Sequence, residues 1–375
     1  MPGCPRMQSI RIGIDGRAFM GKPTGVGRYA TELCIHLDRL LPDACFFVYA
    51  PSAITLPLCS ERWLARIDRS WIASSLNRGL WLILRAGRLC HRDRLDAFWG
   101  AVTLLPALAP TVRAVSTVYD LTHKIVPATV RARDLWARRL LLARSLARAD
   151  HLIAISQGTA AKVKSLYGRA AAVVRPGASA QFTPQGRKRV EACLDKYRLK
   201  APYLLAVGTR EPRKNLEVLV EAFLQMKAEG LISEHALVLA GGKGWKDRRL
   251  CAILERGASC GVSVLDYVHQ EDLPALYTGA DALLCPSLYE GFGIPVLEAR
   301  ACGTRVVASN LPELREAGGD DTIYIDPDPA GLRQGILAVA QATTRIRTRA
   351  EGLPTWEEGA KTLAEVLTGG GFVDR

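Results

Sequence analysis

The sequence predicts an α/β protein built as two doubly wound, Rossmann-like domains. Three observations point there. The chain has 375 residues, long for one domain and natural for two. Short apolar runs alternate with amphipathic helical stretches through both halves, the pattern of parallel strands covered by helices. Loops rich in glycine or charge follow many of the apolar runs, at the carboxyl ends of strands, where open α/β sheets bind ligands.

Composition narrows the class. Hydrophobic residues make up 49% and charged residues 23%, as in a globular chain. A net charge of +13 points to nucleic acid, an anionic membrane or a phosphorylated substrate. Ten cysteines form no C-x-x-C pair and six histidines show no H-x-x-x-H spacing, so no metal site is expected. Cys34, Cys285 and Cys302 lie in apolar stretches and read as small buried hydrophobes of a reducing compartment. No stretch has the length of a membrane-spanning helix, and Met1–Ser9 lacks the apolar core of a signal peptide. The expected location is cytoplasmic, with any membrane contact peripheral.

In the first half, Ile10–Asp15 reads as a strand, residues 16–26 as a glycine-rich loop, and Gly27 onward as an amphipathic helix bearing Tyr29, Leu33, Ile35 and Leu37. Two phosphate-binding patterns fail here. Gly16 to Gly21-Lys22 lacks the hydroxyl that a P-loop places after its lysine, because Pro23 stands there. Gly25-Val26-Gly27-Arg28-Tyr29-Ala30 follows the strand too late for a dinucleotide turn. The next strand, Cys45–Tyr49, ends in Ala50-Pro51 with no acidic partner for a ribose. The loop reads instead as a flexible cradle for one diphosphate, with Gly25 and Gly27 as donor-binding candidates. Ser74–Arg94 joins Leu80, Trp81, Leu82, Ile83 and Leu84 to Arg78, Arg85, Arg88, Arg92 and Arg94. Such a helix either lies on an anionic bilayer with Trp81 at the interface, or covers its own domain with a solvated basic face. Ala97–Trp99 and Arg113–Tyr119 are strands, the latter running into Asp120-Leu121-Thr122-His123. Ala132–Ala149 is an arginine-rich helix without the interleaved aromatics that would stack on bases. His151–Ser156 and Ala171–Arg175 are the remaining strands of this half, and Pro176-Gly177 begins the linker.

In the second half, Tyr203–Gly208 is the clearest buried strand. It is followed by Thr209-Arg210-Glu211-Pro212-Arg213-Lys214-Asn215 and a helix over Leu216–Met226. Two adjacent cations after a strand and before a helix form a diphosphate grip, or else a solvated basic turn. Ala236–Ala240 and Val262–Leu265 are strands. They end in Gly241-Gly242-Lys243-Gly244 and in Tyr267-Val268-His269-Gln270-Glu271-Asp272-Leu273. Ala282–Cys285 and Arg305–Ser309 are strands around a loop opened by Gly291 and Gly293 and a helix with Pro295 as its first residue. The helix N-terminus there suits an anion. Glu290 and Glu298 bracket that loop. Carboxylates repel phosphate but accept hydrogen bonds from hydroxyls, so a phosphate between two hydroxyl-bearing groups describes a nucleotide sugar. The plainer reading is an ordinary βαβ unit with two solvated glutamates. Thr322–Asp326 is an edge strand, and Trp356–Leu367 an amphipathic helix.

Glu290 to Glu298, with Gly291-Phe292-Gly293-Ile294-Pro295 between them, resembles the E-x7-E signature of family 4 of the retaining glycosyltransferases. Residues 301–309 and Leu311-Pro312-Glu313 resemble the same family, and the likeness covers nearly the whole chain. It implies a GT-B fold of two domains facing across a cleft. Residues 1–177 would form the acceptor side, with helix 355–368 crossing back onto it, and 178–354 the nucleotide-sugar side. By the resemblance, Glu298 would hold the ribose and Glu290 hydroxyls of the transferred sugar. Arg213, Lys214 and the N–H groups near Gly293, Ile294 and Val296 would hold the diphosphate. The loops after Ala240 and Leu265 would wall the nucleobase, and Gly25 and Gly27 would face the donor. Asp120 matches the aspartate of a His-Asp pair that faces the transferred sugar in related enzymes. Tyr119 replaces the histidine, and His123 follows nearby.

The implied activity is transfer of a hexose, mannose foremost, with retention, in bacterial polysaccharide or O-antigen assembly. With no metal and no cofactor expected, fixed cations and a helix dipole would stabilise the departing diphosphate. Expected partners are the nucleotide sugar, a lipid-linked or oligosaccharide acceptor and an anionic membrane surface, with no nucleic acid. A nicotinamide oxidoreductase lacks its glycine turn and acidic ribose partner. A non-catalytic nucleotide-sugar sensor fits the Tyr119 departure, and a basic nucleic-acid binder remains as the other alternative.

Overall fold

The computed structural model describes residues 9–21, 24–245, 248–342 and 352–370. The expectations for Lys22, Pro23 and the first eight residues lie outside that part. The chain forms two compact units. The first takes the residues up to Leu121, Arg133–Gly177 and the stretch from Pro354 onward. The second takes Thr122–Ala132 and Ala178–Leu353.

In the first unit, β1 (Arg11–Asp15), β2 (Cys45–Ala50), β3 (Trp63–Ile67), β4 (Ala97–Gly100), β5 (Arg113–Val118), β6 (His151–Ala154) and β7 (Ala172–Val173) form one sheet. Its order is β3-β2-β1-β4-β5-β6-β7, with every pair parallel. In the second unit, β8 (Tyr203–Val207), β9 (Ala236–Ala240), β10 (Val262–Leu265), β11 (Ala282–Cys285), β12 (Val306–Ser309) and β13 (Ile323–Ile325) form the other. Its order is β10-β9-β8-β11-β12-β13, again all parallel. The direction of winding reverses between β1 and β4 and between β8 and β11, which makes both sheets doubly wound. Parallel strands need cover on both faces, so they read as continuous apolar runs. Ala206 faces Leu239 across one ladder and Leu283 faces Leu205 across the next.

Three expectations are corrected. The strand β3 is additional. Gly25 does not lie in a flexible loop: the helix expected from Gly27 onward begins at Gly25 and runs to Leu40, and Thr24 caps it by accepting the Gly27 N–H at 3.1 Å. A β-carbon on Gly27 would stand 2.6 Å from the Ala18 carbonyl oxygen, so glycine serves close packing there. Ser74–Arg94 is not one helix. It divides into Trp71–Ser75, Arg78–Trp81, a π-turn at Leu82–Ala86 and Gly87–Arg92. The break lies where Asn77 Oδ1 accepts the N–H groups of Gly79 and Leu80 and starts a new helix. Trp81 is fully buried with Leu82 and Ala86 in the first unit's core. Its Nε1 donates to Asp68 Oδ2 at 2.9 Å, and Arg85 Nε donates to the same oxygen at 3.0 Å. A buried indole keeps its N–H satisfied in this way, so Trp81 belongs to the core and not to a lipid interface.

The helix Trp356–Thr368 belongs to the first unit, where it packs on the helix Gly25–Leu40. Thr355 and Glu358 form a reciprocal capping box at its start. Leu363 and Leu367 on its inner face are fully buried, worth about 2 kcal/mol each.

Candidate active site

The cationic loop of the second unit follows β8. A 3-10 turn over Pro212–Lys214 leads through Asn215 into the helix Leu216–Ala228. The loop after β11 leads to the helix Ile294–Ala301, in which Pro295 is the second residue and not the first. The strands β8 and β11 are neighbours, so both loops leave the sheet side by side at its carboxyl edge. The N–H of Leu288 donates to the carbonyl of Arg213 at 2.8 Å and joins them directly.

That junction brings Arg213, Lys214 and Glu290 together. Glu290 Oε2 accepts from Arg213 Nη1 at 2.6 Å. Its Oε1 accepts from Lys214 Nζ at 2.5 Å and from Ser287 Oγ at 2.7 Å. Arg213 Nε donates to Glu211 Oε2 at 3.0 Å. Each cation thus meets a carboxylate, and the four charged side chains balance. Burial alone would raise the Glu290 carboxyl. The charges of Arg213 and Lys214, with hydrogen bonds from Lys214 and Ser287, overcome that and hold it at about 2. Glu290 is a fixed anion at physiological pH.

Gly293 opens the helix at φ +103°, and a β-carbon there would stand 2.5 Å from Leu314 Cδ2; only glycine fits. The N–H of Val296 closes the first turn on the Gly293 carbonyl at 2.9 Å. By helix geometry the N–H of Ile294 has no acceptor within the helix. Glu298, one turn on, is buried and accepts the Tyr277 hydroxyl at 2.9 Å on Oε2. Further along the same edge, Arg210 bridges Asp266 at 2.7 Å and the Gly241 carbonyl at 2.9 Å. Tyr267 stands exposed with its ring edge-on to His269 at 5.2 Å.

Asp120 and Tyr119 follow β5 in the first unit. The Tyr119 hydroxyl donates to the Ala101 carbonyl at 2.7 Å, and its ring meets Tyr29 edge-on at 5.4 Å. His123 is buried in the segment Thr122–Ala132, which groups with the second unit. Sequence reasoning missed Ser287, Glu211, Tyr277 and the side-chain role of Asn215. Only Ser287 carried a signal, three residues before Glu290 in the same loop. Among the described residues, no three His, Cys, Asp or Glu side chains group as metal ligands, and no helix is long and apolar enough to cross a membrane.

Comparison with known proteins bears on the fold and the family. Residues 23–182 match the family model described as Glycosyltransferase Family 4. Residues 195–340 match the one described as Glycosyl transferases group 1. The O-antigen chain mannosyltransferase B of Escherichia coli is 31% identical over 321 residues, covering 81% of this chain and 84% of that protein. Among solved structures, sucrose-phosphate synthase from Thermosynechococcus elongatus superposes with a TM-score of 0.75 at 18% identity, covering 96% of this chain and 99% of that one. Anabaena HepE, solved in complex with UDP-glucose, gives 0.66 at 16% identity, covering 96% of each. Both share the GT-B architecture of two doubly wound α/β units.

Proposed function

The chain belongs to the group 1 and family 4 glycosyltransferases and is a glycosyltransferase; from that premise we propose that it moves a hexose, mannose foremost, from a nucleoside-diphosphate sugar to a lipid-linked or oligosaccharide acceptor in O-antigen-like polysaccharide assembly. The observation that carries the donor class is the cluster of Arg213, Lys214 and Glu290 at the carboxyl edge of β8 and β11. Arg213 and Lys214 take the diphosphate, together with the N–H groups at the start of the helix Ile294–Ala301. Glu298 takes the ribose, and Glu290 serves hydroxyls of the sugar. Mannose is favoured by the name of the Escherichia coli relative. Breaking the sugar–phosphate bond leaves charge on the departing diphosphate. Two fixed cations and a helix N-terminus meet that charge without a metal ion, each group contributing on the order of 2–4 kcal/mol. Asp120 is proposed to accompany the transferred sugar, and Tyr119 and His123 to shape its surroundings.

The proposal includes attachment to an anionic membrane at the cytoplasmic face, through residues other than Trp81. Trp71 is 78% exposed and Trp136 74% exposed, with Leu80, Leu84 and Leu140 also outside. All five lie in the first unit; Leu80, Leu84, Trp136 and Leu140 sit on helical segments that carry arginines, and Trp71 follows Arg69 by two residues. Large apolar side chains among cations suit a headgroup region.

A thermal-shift panel of nucleoside diphosphates tests the donor reading, since a ligand of the native state raises its melting temperature. One diphosphate should stabilise the protein, and transfer of radiolabelled mannose from its sugar ester should follow. A panel with no shift would defeat the reading.

A further inference from the structure

Asn215 ends the cationic turn in a backbone conformation that few residues tolerate. Its φ is +58° and its ψ +31°, in the left-handed region that side chains avoid and asparagine bears best. It is 9% exposed and immediately precedes the helix Leu216–Ala228, yet its side chain does not cap that helix, the usual work of asparagine there. Instead Nδ2 donates to the Pro327 carbonyl at 2.8 Å. Pro327 lies between β13 and the helix Pro329–Ala340, three strands away from β8 across the sheet. The Asn215 N–H donates to the Pro212 carbonyl at 3.1 Å, and the Lys214 N–H to the Glu211 carbonyl at 2.9 Å. The turn that carries Arg213 and Lys214 is thus closed by the left-handed residue and moored by its amide to the far side of the unit.

We infer that Asn215 is a positioning residue for the diphosphate grip: its left-handed turn sets the direction of the Arg213 and Lys214 side chains, and its amide holds the turn against Pro327. The inference rests on the reading of Arg213 and Lys214 as the diphosphate site. No contact between Asn215 and substrate is implied; it acts through the two cations.

Two variants separate its features. Asn215→Asp keeps the size and the left-handed tolerance but removes the amide donor. Asn215→Gly keeps the backbone angle and removes the side chain. Both are titrated with GDP, UDP, guanosine and uridine beside the wild type, and their melting temperatures are recorded. Each variant should bind the diphosphate that the wild type prefers about tenfold more weakly, the upper range for one lost hydrogen bond. Affinity for the matching nucleoside should stay at the wild-type value, because the base site is untouched, and the melting temperature should fall only by the few degrees that one lost hydrogen bond costs. kcat/KM for the donor should fall by the same factor. Unchanged diphosphate affinity in both variants overturns the inference. So does a parallel loss of nucleoside affinity and melting temperature, which would assign Asn215 to folding alone. A wild type that binds none of the four probes removes the donor-site reading and this inference with it, a result distinct from failure in the variants alone.

Discussion

Replacing Glu290 by glutamine keeps the shape of the side chain and removes its charge. Burial opposes that charge, yet Arg213 and Lys214 hold the carboxyl at about 2, against an ordinary value of 4.5. At 1.36 kcal/mol per pH unit, the difference is worth about 3 kcal/mol of native stability at neutral pH. A second route gives a similar figure. Removing one partner of a buried ion pair costs about 3–5 kcal/mol. The Arg213 and Lys214 side chains are 20% and 12% exposed, so the lower end applies. Because the folded value is the depressed one, the stabilisation is complete above about pH 5 and disappears as the pH falls through 4.5 toward 2. Urea unfolding should therefore find Glu290→Gln about 3 kcal/mol less stable at pH 7 and about half that at pH 3. Nucleoside-diphosphate affinity should rise, because the cations lose the carboxylate that competes with phosphate. Turnover should fall, because the sugar loses its anionic partner. A variant as stable as the wild type at pH 7, or a gap that does not narrow in acid, would refute the reasoning.

Arg213→Ala and Lys214→Ala should each lower turnover by about 100- to 1,000-fold, and circular dichroism should show the native fold; full activity in both would place the diphosphate elsewhere. Transfer should survive EDTA, and loss restored by magnesium or manganese would count against leaving-group stabilisation by fixed cations alone. Trp81→Ser should cost about 3–5 kcal/mol of stability, since it empties a core site and takes one of its donors from Asp68. Trp71→Ser should leave the melting temperature alone and weaken flotation with anionic vesicles at low salt; a wild type that never floats ends the membrane proposal.

The buried strands were legible because parallel sheets demand apolar side chains on both faces, and β8, Tyr-Leu-Leu-Ala-Val, announces itself. The edge strand β3 was not. Trp63 is buried but its neighbours are half-exposed or exposed, a pattern that a short loop shares. Hydrophobic pattern left Trp81 open between bilayer and core, because the partner that satisfies its buried N–H is Asp68, thirteen residues earlier; pairing over such a distance leaves no periodic trace. For the candidate site, the positions of Arg213, Lys214 and Glu290 could be read from the E-x7-E spacing and the strand–loop–helix pattern. Their mutual contact could not, because it depends on β8 and β11 being neighbours. Asn215 showed only as the last residue of the loop before the helix Leu216–Met226. Its left-handed angle and its reach to Pro327 are set by tertiary structure.

The helix Trp356–Thr368 belongs to the first unit although the second unit lies between them in the chain. During synthesis, roughly 190 residues must emerge after Gly177 before that helix exists. At ribosomal speeds of about 5–20 residues per second, the delay is roughly 10–40 s. Throughout it, the helix Gly25–Leu40 presents an uncovered apolar flank, and the second unit's sequence is complete at Leu353, before the helix that the first unit still needs. The later-made unit is thus free to fold first, and a nascent chain stalled before Trp356 would be a client for chaperones that hold exposed apolar surface.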